Sequence, residues 1–295
     1  MKNVLSYYYN LYSENIRLYG ENYYFDINNE NYVFYLYNGE GKDLNVIYNI
    51  YINIIKLGVY THQIILNKDE HIVTEYNNKQ YILLKLYNNL SRKIEIQDIQ
   101  YFGNVTNIFE NNNNWKQLWS NKIDYFEYQI SQVGKKYPLI RDSFSYYVGI
   151  VENGISLLNS AKEVTCSIVH KRISKNEDLF EFYNPLNYII DTRVRDSSEF
   201  YKNKLLEQEN VFLEIRQYLE NSNLTEGEVY YFFVRMFYPT FYFDCYEKII
   251  NQEVEEYKIK EVIEITPRYE KLLKELYNYL KKFIQIPEIE WLNNI

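Results

Sequence analysis

Several residue types are scarce in this chain, and each scarcity excludes a class of protein. Only two cysteines are present, too few for a disulfide framework or a thiolate metal site. No apolar run approaches the roughly 18 residues that a membrane-spanning helix needs. Acidic residues outnumber basic ones by 40 to 32, and the net charge of −8 argues against nucleic-acid binding, because phosphate contacts need a basic surface.

The remaining composition is that of a soluble globular protein, with 46% hydrophobic and 24% charged residues. The N-terminal segment MKNVLSYYYNLYSEN lacks the apolar core of a secretory signal, which predicts a chain that is cytoplasmic at synthesis, without membrane insertion. The 35 tyrosines stand beside abundant Asn, Ile and Lys. We interpret them as the product of an AT-rich genome, with tyrosine cross-linking as the alternative.

The first 90 residues alternate between strand-like and helix-like patterns. Residues 3–18 have helical spacing, and Asp43 is placed to cap a helix over 44–57 that stops at Gly58. Tight-turn residues separate the predicted strands, which cover 22–28, 31–37, 61–67, 71–76 and 80–88. This order predicts an N-terminal lobe, residues 1–90, built as a small antiparallel sheet with one packed helix.

From residue 91 to residue 295 the apolar residues recur at helical spacing, which predicts a larger helical lobe. Thr225 and Glu228 form a capping-box pattern, and Pro239 must kink or divide the helix around it. The predicted helices cover 94–109, 115–133, 138–159, 196–220, 225–251 and 267–283. The fold class is therefore α+β.

The most informative segment is 165–201. One apolar run ends in His170, a polar loop follows, and a second run, NYIID, ends in Asp191. Asp196 then stands where an N-cap would precede a helix. This arrangement matches the phosphotransfer cleft of kinase-like enzymes, in which an aspartate two residues after the histidine accepts the proton of the attacking hydroxyl. Here that position holds Arg172, which cannot accept a proton at neutral pH.

Asp191 is the candidate metal ligand, since a carboxylate at the end of such a strand can hold a magnesium ion that bridges nucleotide phosphates. The alternative is a structural carboxylate that caps the following turn and pairs with Arg193 or Arg195. Arg172 beside it would neutralise the carboxylate and predicts weak or absent magnesium binding. Glu177 and Asp178 are the possible substitutes for the missing base, or else ordinary solvated charges.

A phosphate-binding loop is not evident. Gly39 and Gly41 lie between a strand and a helix, but the third glycine of a dinucleotide fingerprint would fall on Leu44. A turn from hairpin to helix is the better interpretation. No lysine occurs in the predicted strand 31–37 to pair with phosphates, and Lys85 lies in a later strand.

The cysteines and histidines have structural interpretations. Cys166 and His170 are spaced as a nucleophile and a base could be, but on a strand they share one face, which favours two inward core residues. His62 and His71 flank a predicted hairpin without acidic or thiol neighbours, so we expect them to be structural or exposed.

Three blocks together resemble one family: 143–158, 169–202 and 234–249. In this order and spacing the chain resembles the kinase-like spore coat proteins of the YutH and CotS type, which are related to aminoglycoside phosphotransferases and choline kinases. The resemblance implies a bacterial protein with a two-lobed kinase-like fold and a role in the spore coat and its assembly. It places His170 to Arg172 at the catalytic loop and Asp191 at the metal position.

The departures from active phosphotransferases favour a pseudokinase that works by binding, without a required cofactor, with other coat or morphogenetic proteins as partners and the coat as its destination. The alternative is an active small-molecule phosphotransferase that uses ATP, Mg²⁺ and an unusual base. A third hypothesis is a module that binds ATP without hydrolysing it. The aromatic helices 229–247 are interpreted as core, with a partner surface as the alternative.

Overall fold

A computed structural model of the chain describes residues 1–38, 43–87, 92–107, 109–110, 114–173, 178–207 and 210–293. The chain forms two compact units. The first contains residues 1–106 and 168–190, and the second contains 107–167 and 191–295. Gly39 and Gly41 lie outside the described residues.

The first unit is built on an antiparallel sheet with the strand order β1-β2-β3-β6-β4, and β5 pairs with the same strand, β6, as β4 does. The strands are β1 (Arg17–Tyr19), β2 (Asn22–Ile27), β3 (Glu30–Tyr37), β4 (Gln63–Ile65), β5 (Val73–Tyr76) and β6 (Lys79–Lys85). The predicted antiparallel sheet is confirmed, and β1 is an additional strand.

Alternating side chains of the sheet form two separate cores. On one face Val33, Ile82 and Leu84 pack against helix α2 (Leu44–Lys56). On the other face the buried side chains pack with Leu5 of helix α1 (Lys2–Tyr9), and they are Phe25, Tyr32, Phe34, Tyr81 and Leu83. The sheet is therefore covered by a helix on each face, whereas the sequence pattern had predicted one packed helix.

Local signals set the ends of these helices. Asp43 caps α2 by accepting a hydrogen bond from the Asn45 amide, and Gly58 follows the helix at a φ of 69°, as predicted. Helix α1 is shorter than the predicted 3–18. Asn10 adopts the left-handed conformation, with φ 52°, and ends it.

The first unit extends beyond the predicted division at residue 90. It also contains helix α3 (Ile96–Val105) and the segment 168–190, because α3 packs on that segment. Phe102 of α3 contacts the rings of His170 and Tyr188, and the Thr106 hydroxyl donates to the Ile168 carbonyl. The segment comprises most of the paired strands β7 (Cys166–His170) and β8 (Tyr188–Thr192), with helix α6 (Leu179–Phe182) between them.

The second unit is helical. Its helices are α4 (Trp115–Val133), α5 (Pro138–Leu157), α7 (Val194–Glu207), α8 (Phe212–Asn221), α9 (Glu226–Met236), α10 (Thr240–Ile250), α11 (Lys258–Ile263), α12 (Thr266–Leu280) and α13 (Glu290–Asn293). The predicted helix 196–220 is two helices, and α11 and α13 were not predicted. Pro239 divides α9 from α10, and Thr225 with Glu228 forms the predicted capping box at the start of α9.

Aromatic side chains of α9 and α10 form the core of the second unit. Tyr147 of α5 stacks on Tyr242 with ring centroids 3.7 Å apart, and Phe126 of α4 stacks on Phe243 at 5.1 Å. Tyr230 through Val234 of α9 are all buried. Their burial confirms the core interpretation of 229–247 and rules out a partner surface made of these side chains. No helix within the described residues is long and apolar enough to cross a membrane.

Candidate functional site

The predicted site residues fall into both units. In the first unit, His170 ends β7 and is completely buried. Its Nε2 lies 2.8 Å from the Phe182 carbonyl oxygen, so this nitrogen carries the proton and donates it. The imidazole also stacks on the Phe182 ring at 4.3 Å. His170 therefore braces the loop against α6, and both Cys166 and His170 are buried as predicted.

Arg172, predicted to stand where kinase-like enzymes have their catalytic aspartate, is exposed. Asp178 caps α6: its Oδ1 accepts hydrogen bonds from the Phe180 and Glu181 amides at 3.0 and 3.3 Å. Capping occupies this carboxylate as a structural acceptor. Glu177, the other predicted substitute for the base, lies outside the described residues.

In the second unit, Asp191 lies near the end of β8 and is fully buried. Arg235 Nη2 donates to both of its carboxylate oxygens, at 2.5 Å each, and Arg195 Nη1 donates to Oδ2 at 2.8 Å. The Thr192 amide donates to Oδ1 at 2.5 Å. Both oxygens of the predicted metal ligand are thus bonded to guanidinium groups, and the predicted pairing with Arg195 is present.

Arg235 is held in place from several sides. It is 4% exposed, its Nε donates to the Thr192 hydroxyl at 3.2 Å, and the Trp115 ring covers its guanidinium with the centroid 4.5 Å from Cζ. A buried guanidinium stacked on an aromatic face and bonded to a carboxylate gains from both interactions. The geometry makes Arg235 a fixed part of the unit.

The ionic contacts continue from Asp191 into α7 and α10. Lys202 is 2% exposed, and its Nζ donates to Glu199 at 2.7 Å, to the Tyr238 carbonyl at 2.8 Å and to the Thr240 hydroxyl at 2.7 Å. Burial tends to raise the pKa of Glu199, but Lys202 outweighs it and the pKa is lowered. Glu199 therefore stays ionised as part of a buried network.

Two details of this region differ from the sequence-based predictions. Helix α7 begins at Val194, so Asp196 lies in its first turn and is not the N-cap; it is 3% exposed. Arg193, an alternative partner for Asp191, instead makes a two-pronged pair with Glu228, at 2.5 and 2.6 Å. The structural role of Asp196 stays a prediction.

The residues around Asp191 do not fit a magnesium ion in this arrangement. Mg²⁺ requires oxygen ligands at about 2.0–2.1 Å in octahedral geometry. The carboxylate oxygens here face two cations, which would repel a third. Within the described ranges, no group of three or more His, Cys, Asp or Glu side chains is arranged to hold a metal.

Arg235 was not predicted as a site residue, although the sequence contains a feature that singles it out. It is the lone charged residue in the run YYFFVRMFY, residues 230–238. A charge in such a buried helix must be paired. Its partner could not be named without the fold, because Asp191 lies 44 residues earlier in the chain.

His62 is structural, as expected, and His71 is exposed. The Tyr87 amide donates to His62 Nδ1 at 3.0 Å, and His62 Nε2 donates to the Phe180 carbonyl at 2.9 Å. Burial lowers the pKa of His62 to about 4, so the imidazole is neutral at pH 7.

Solved phosphotransferases share this fold. An aminoglycoside phosphotransferase from Alicyclobacillus acidocaldarius subsp. acidocaldarius matches with a TM-score of 0.69 and 9% identity, over 96% of this chain and 97% of that one. A spectinomycin phosphotransferase solved with ADP and spectinomycin has a TM-score of 0.55 and 10% identity, over 94% and 96%. An amicoumacin kinase solved with AMP-PNP and Ca²⁺ has 0.57 and 11%, over 92% and 91%. The chain therefore has the kinase-like fold of the aminoglycoside phosphotransferases, and the predicted fold class is confirmed.

The family follows from the sequence itself. The family model described as "Spore coat putative kinase YutH" matches residues 2–282, nearly the whole chain. The chain belongs to this family, which confirms the resemblance carried by the three sequence blocks. A comparison with curated proteins found no significant match.

Proposed function

We propose that this protein is a kinase-like spore coat protein that has lost phosphoryl transfer and acts by binding, as a scaffold in coat assembly. Its proposed partners are other coat or morphogenetic proteins, and it would be made in the cytoplasm and then incorporated into the coat. The observation that carries the proposal is the state of Asp191, whose two oxygens are bonded to Arg195 and Arg235. A carboxylate neutralised in this way is not available to a metal ion.

Arg172 supports the same proposal. A general base must accept a proton, and a guanidinium has no acceptor atom and stays charged at pH 7. The nearby Asp178 carboxylate caps α6 and is engaged there. Among the described residues, a guanidinium therefore stands at the position of the base and a carboxylate bonded to two arginines at the position of the metal ligand, the two positions from which kinase-like enzymes draw their contributions to phosphoryl transfer.

The alternative function is a phosphotransferase of small molecules, or a module that binds ATP without transferring phosphate. One observation favours it: the spectinomycin phosphotransferase and the amicoumacin kinase with the same fold were solved with ADP and with AMP-PNP. This alternative requires that Arg235 leave the carboxylate when Mg²⁺ and nucleotide bind. The buried pair of Arg235 and Asp191 weighs against such a movement.

The test is a transfer assay with purified protein, ATP labelled at the γ-phosphate, Mg²⁺ and a panel of alcohols and amines. We expect no transfer above that of the Asp191→Asn variant. Transfer to any acceptor that depends on Asp191 would overturn the proposal.

A second assay tests the scaffold role in sporulating cells. A deletion strain is complemented with the wild type or with Arg172→Ala, a change at an exposed position. We expect equal incorporation into the coat and the same coat composition. An unchanged coat composition on deletion of the gene would contradict a scaffold, and so would a wild-type protein that is not incorporated into the coat.

A further inference from the structure

Arg235 occupies the space in which a metal ion would bind Asp191. Its Nη2 lies 2.5 Å from each carboxylate oxygen, and its Nε bonds the Thr192 hydroxyl. One guanidinium therefore takes three oxygen acceptors that are all hard ligands of the kind that Mg²⁺ and Ca²⁺ prefer. The Arg235 guanidinium and a metal ion would therefore compete for the carboxylate oxygens of Asp191 and the hydroxyl of Thr192.

Charge balance around Asp191 depends on this arginine. The negative charges of Asp191, Glu199 and Asp196 all raise the pKa of the neighbouring Arg195. Among the described residues, this buried cluster includes three carboxylates and three cationic side chains, namely Asp191, Asp196, Glu199, Arg195, Arg235 and Lys202. Loss of the Arg235 charge would leave one buried negative charge without compensation, and such a charge must be protonated or must acquire a cation.

The ligand atoms would stay in position without Arg235. The Thr192 amide and Arg195 hold Asp191, and β8 fixes the backbone of both acceptor residues. Removal of Arg235 therefore leaves the Asp191 carboxylate and the Thr192 hydroxyl in place next to Trp115. The positive charge that has been lost there favours the binding of another cation.

We propose that Arg235 is a built-in counter-cation that excludes metal from Asp191, and that Asp191 and Thr192 form a latent site for a hard divalent or trivalent cation. The inference rests on the proposed loss of metal-dependent transfer, for which it names the responsible residue. The Arg235 guanidinium thus takes the place of a metal ion at the Asp191 carboxylate.

The experiment uses Tb³⁺, a hard cation whose luminescence is sensitised by a nearby tryptophan such as Trp115. The variants are Arg235→Gln, which keeps a hydrogen-bond donor, and Arg235→Met. We expect at least tenfold tighter Tb³⁺ binding in both than in the wild type, and a melting temperature that rises when Ca²⁺ or Tb³⁺ is added. The gain must disappear in the double variant Asp191→Asn, Arg235→Gln. Arg216→Met, which removes an exposed arginine paired with Glu220, is the matched control and should gain nothing.

The outcomes separate this inference from the proposed function. If folded Arg235→Gln and Arg235→Met bind no more Tb³⁺ than the wild type, the inference is overturned and the proposed function stands. If neither variant folds even with Tb³⁺ or Ca²⁺ present, the inference is also overturned, because a latent site would restore the missing charge. If the wild type binds Tb³⁺ and Asp191→Asn abolishes that binding, the inference and the proposed function are both contradicted.

Discussion

The two units hold buried polar side chains in place by different means. In the first unit, the imidazoles of His170 and His62 donate to backbone carbonyls and pack against aromatic side chains. In the second unit, Asp191 is held by charges, with Arg235 and Arg195 bonded to its carboxylate. Leaving a buried hydrogen-bonding group unpaired costs about 1–3 kcal/mol, whereas removing one partner of a buried ion pair costs about 3–5 kcal/mol because an uncompensated charge remains.

The largest expected effect comes from breaking the ion pair of the second unit. Arg235→Met leaves Asp191 with one cation fewer, and we expect a loss of about 3–5 kcal/mol in the free energy of unfolding, because an unbalanced charge stays buried. Urea denaturation of wild type and variant measures this loss. Arg216→Met, the exposed control, should change the midpoint little. Equal effects of the two substitutions would mean that burial does not distinguish the pairs.

The next largest effect is the pH dependence of the stability that His62 contributes to the first unit. The pKa of His62 is lowered to about 4 from 6.5, so its contribution to stability is complete above pH 6.5 and is lost as the pH falls through about 4. The full loss is on the order of 3 kcal/mol.

Unfolding free energies of the wild type and of His62→Gln at pH 7 and pH 4.5 isolate this contribution. The difference between the two proteins should shrink as the pH falls. A constant difference across this range would show that His62 does not titrate as described.

A smaller effect is expected at the start of α9, where a neutral cap supports an ionic contact. The Thr225 hydroxyl accepts a hydrogen bond from the Glu228 amide, and Glu228 also pairs with Arg193. Thr225→Ala should cost about 1 kcal/mol, and Thr225→Ser should retain most of the stability. Chemical denaturation distinguishes them, and an equal loss in both variants would exclude capping as the cause.

The smallest effect concerns a hairpin turn of the first unit. Asn28 and Asn29 both have positive φ, at 51° and 66°. Glycine adopts this conformation without strain, so Asn29→Gly should stabilise the protein by a few tenths of a kcal/mol. Thermal melts can show the direction, and a clear destabilisation would mean that the Asn29 side chain stabilises the turn.

Local signals allowed much of the fold to be predicted from the sequence. Alternation gave the sheet, Asp43 and Thr225 marked helix starts, and Pro239 marked a division between helices. These features depend on neighbours within a few residues. The extra strand β1 was missed because its three residues are exposed and carry no burial pattern.

The candidate site was predictable only in part. The positions of His170, Arg172 and Asp191 followed from the family resemblance and from strand ends, and Arg195 was named as a partner of Asp191, but Arg235 was not. Arg235 approaches from a helix more than forty residues away, and a contact of that separation is set by tertiary packing. The same separation explains why Arg195, four residues from Asp191, could be predicted as a partner and Arg235 could not.

The most direct measurement is the melting temperature of the wild-type protein with ATP, in the presence and absence of Mg²⁺. Binding of a ligand to the native state alone, at 100 times its Kd, adds about 2.7 kcal/mol of stability. We predict that Mg²⁺ makes no difference to the effect of ATP, because Arg235 keeps the metal from Asp191. A rise in melting temperature that requires both ATP and Mg²⁺, and that Asp191→Asn abolishes, would contradict the account.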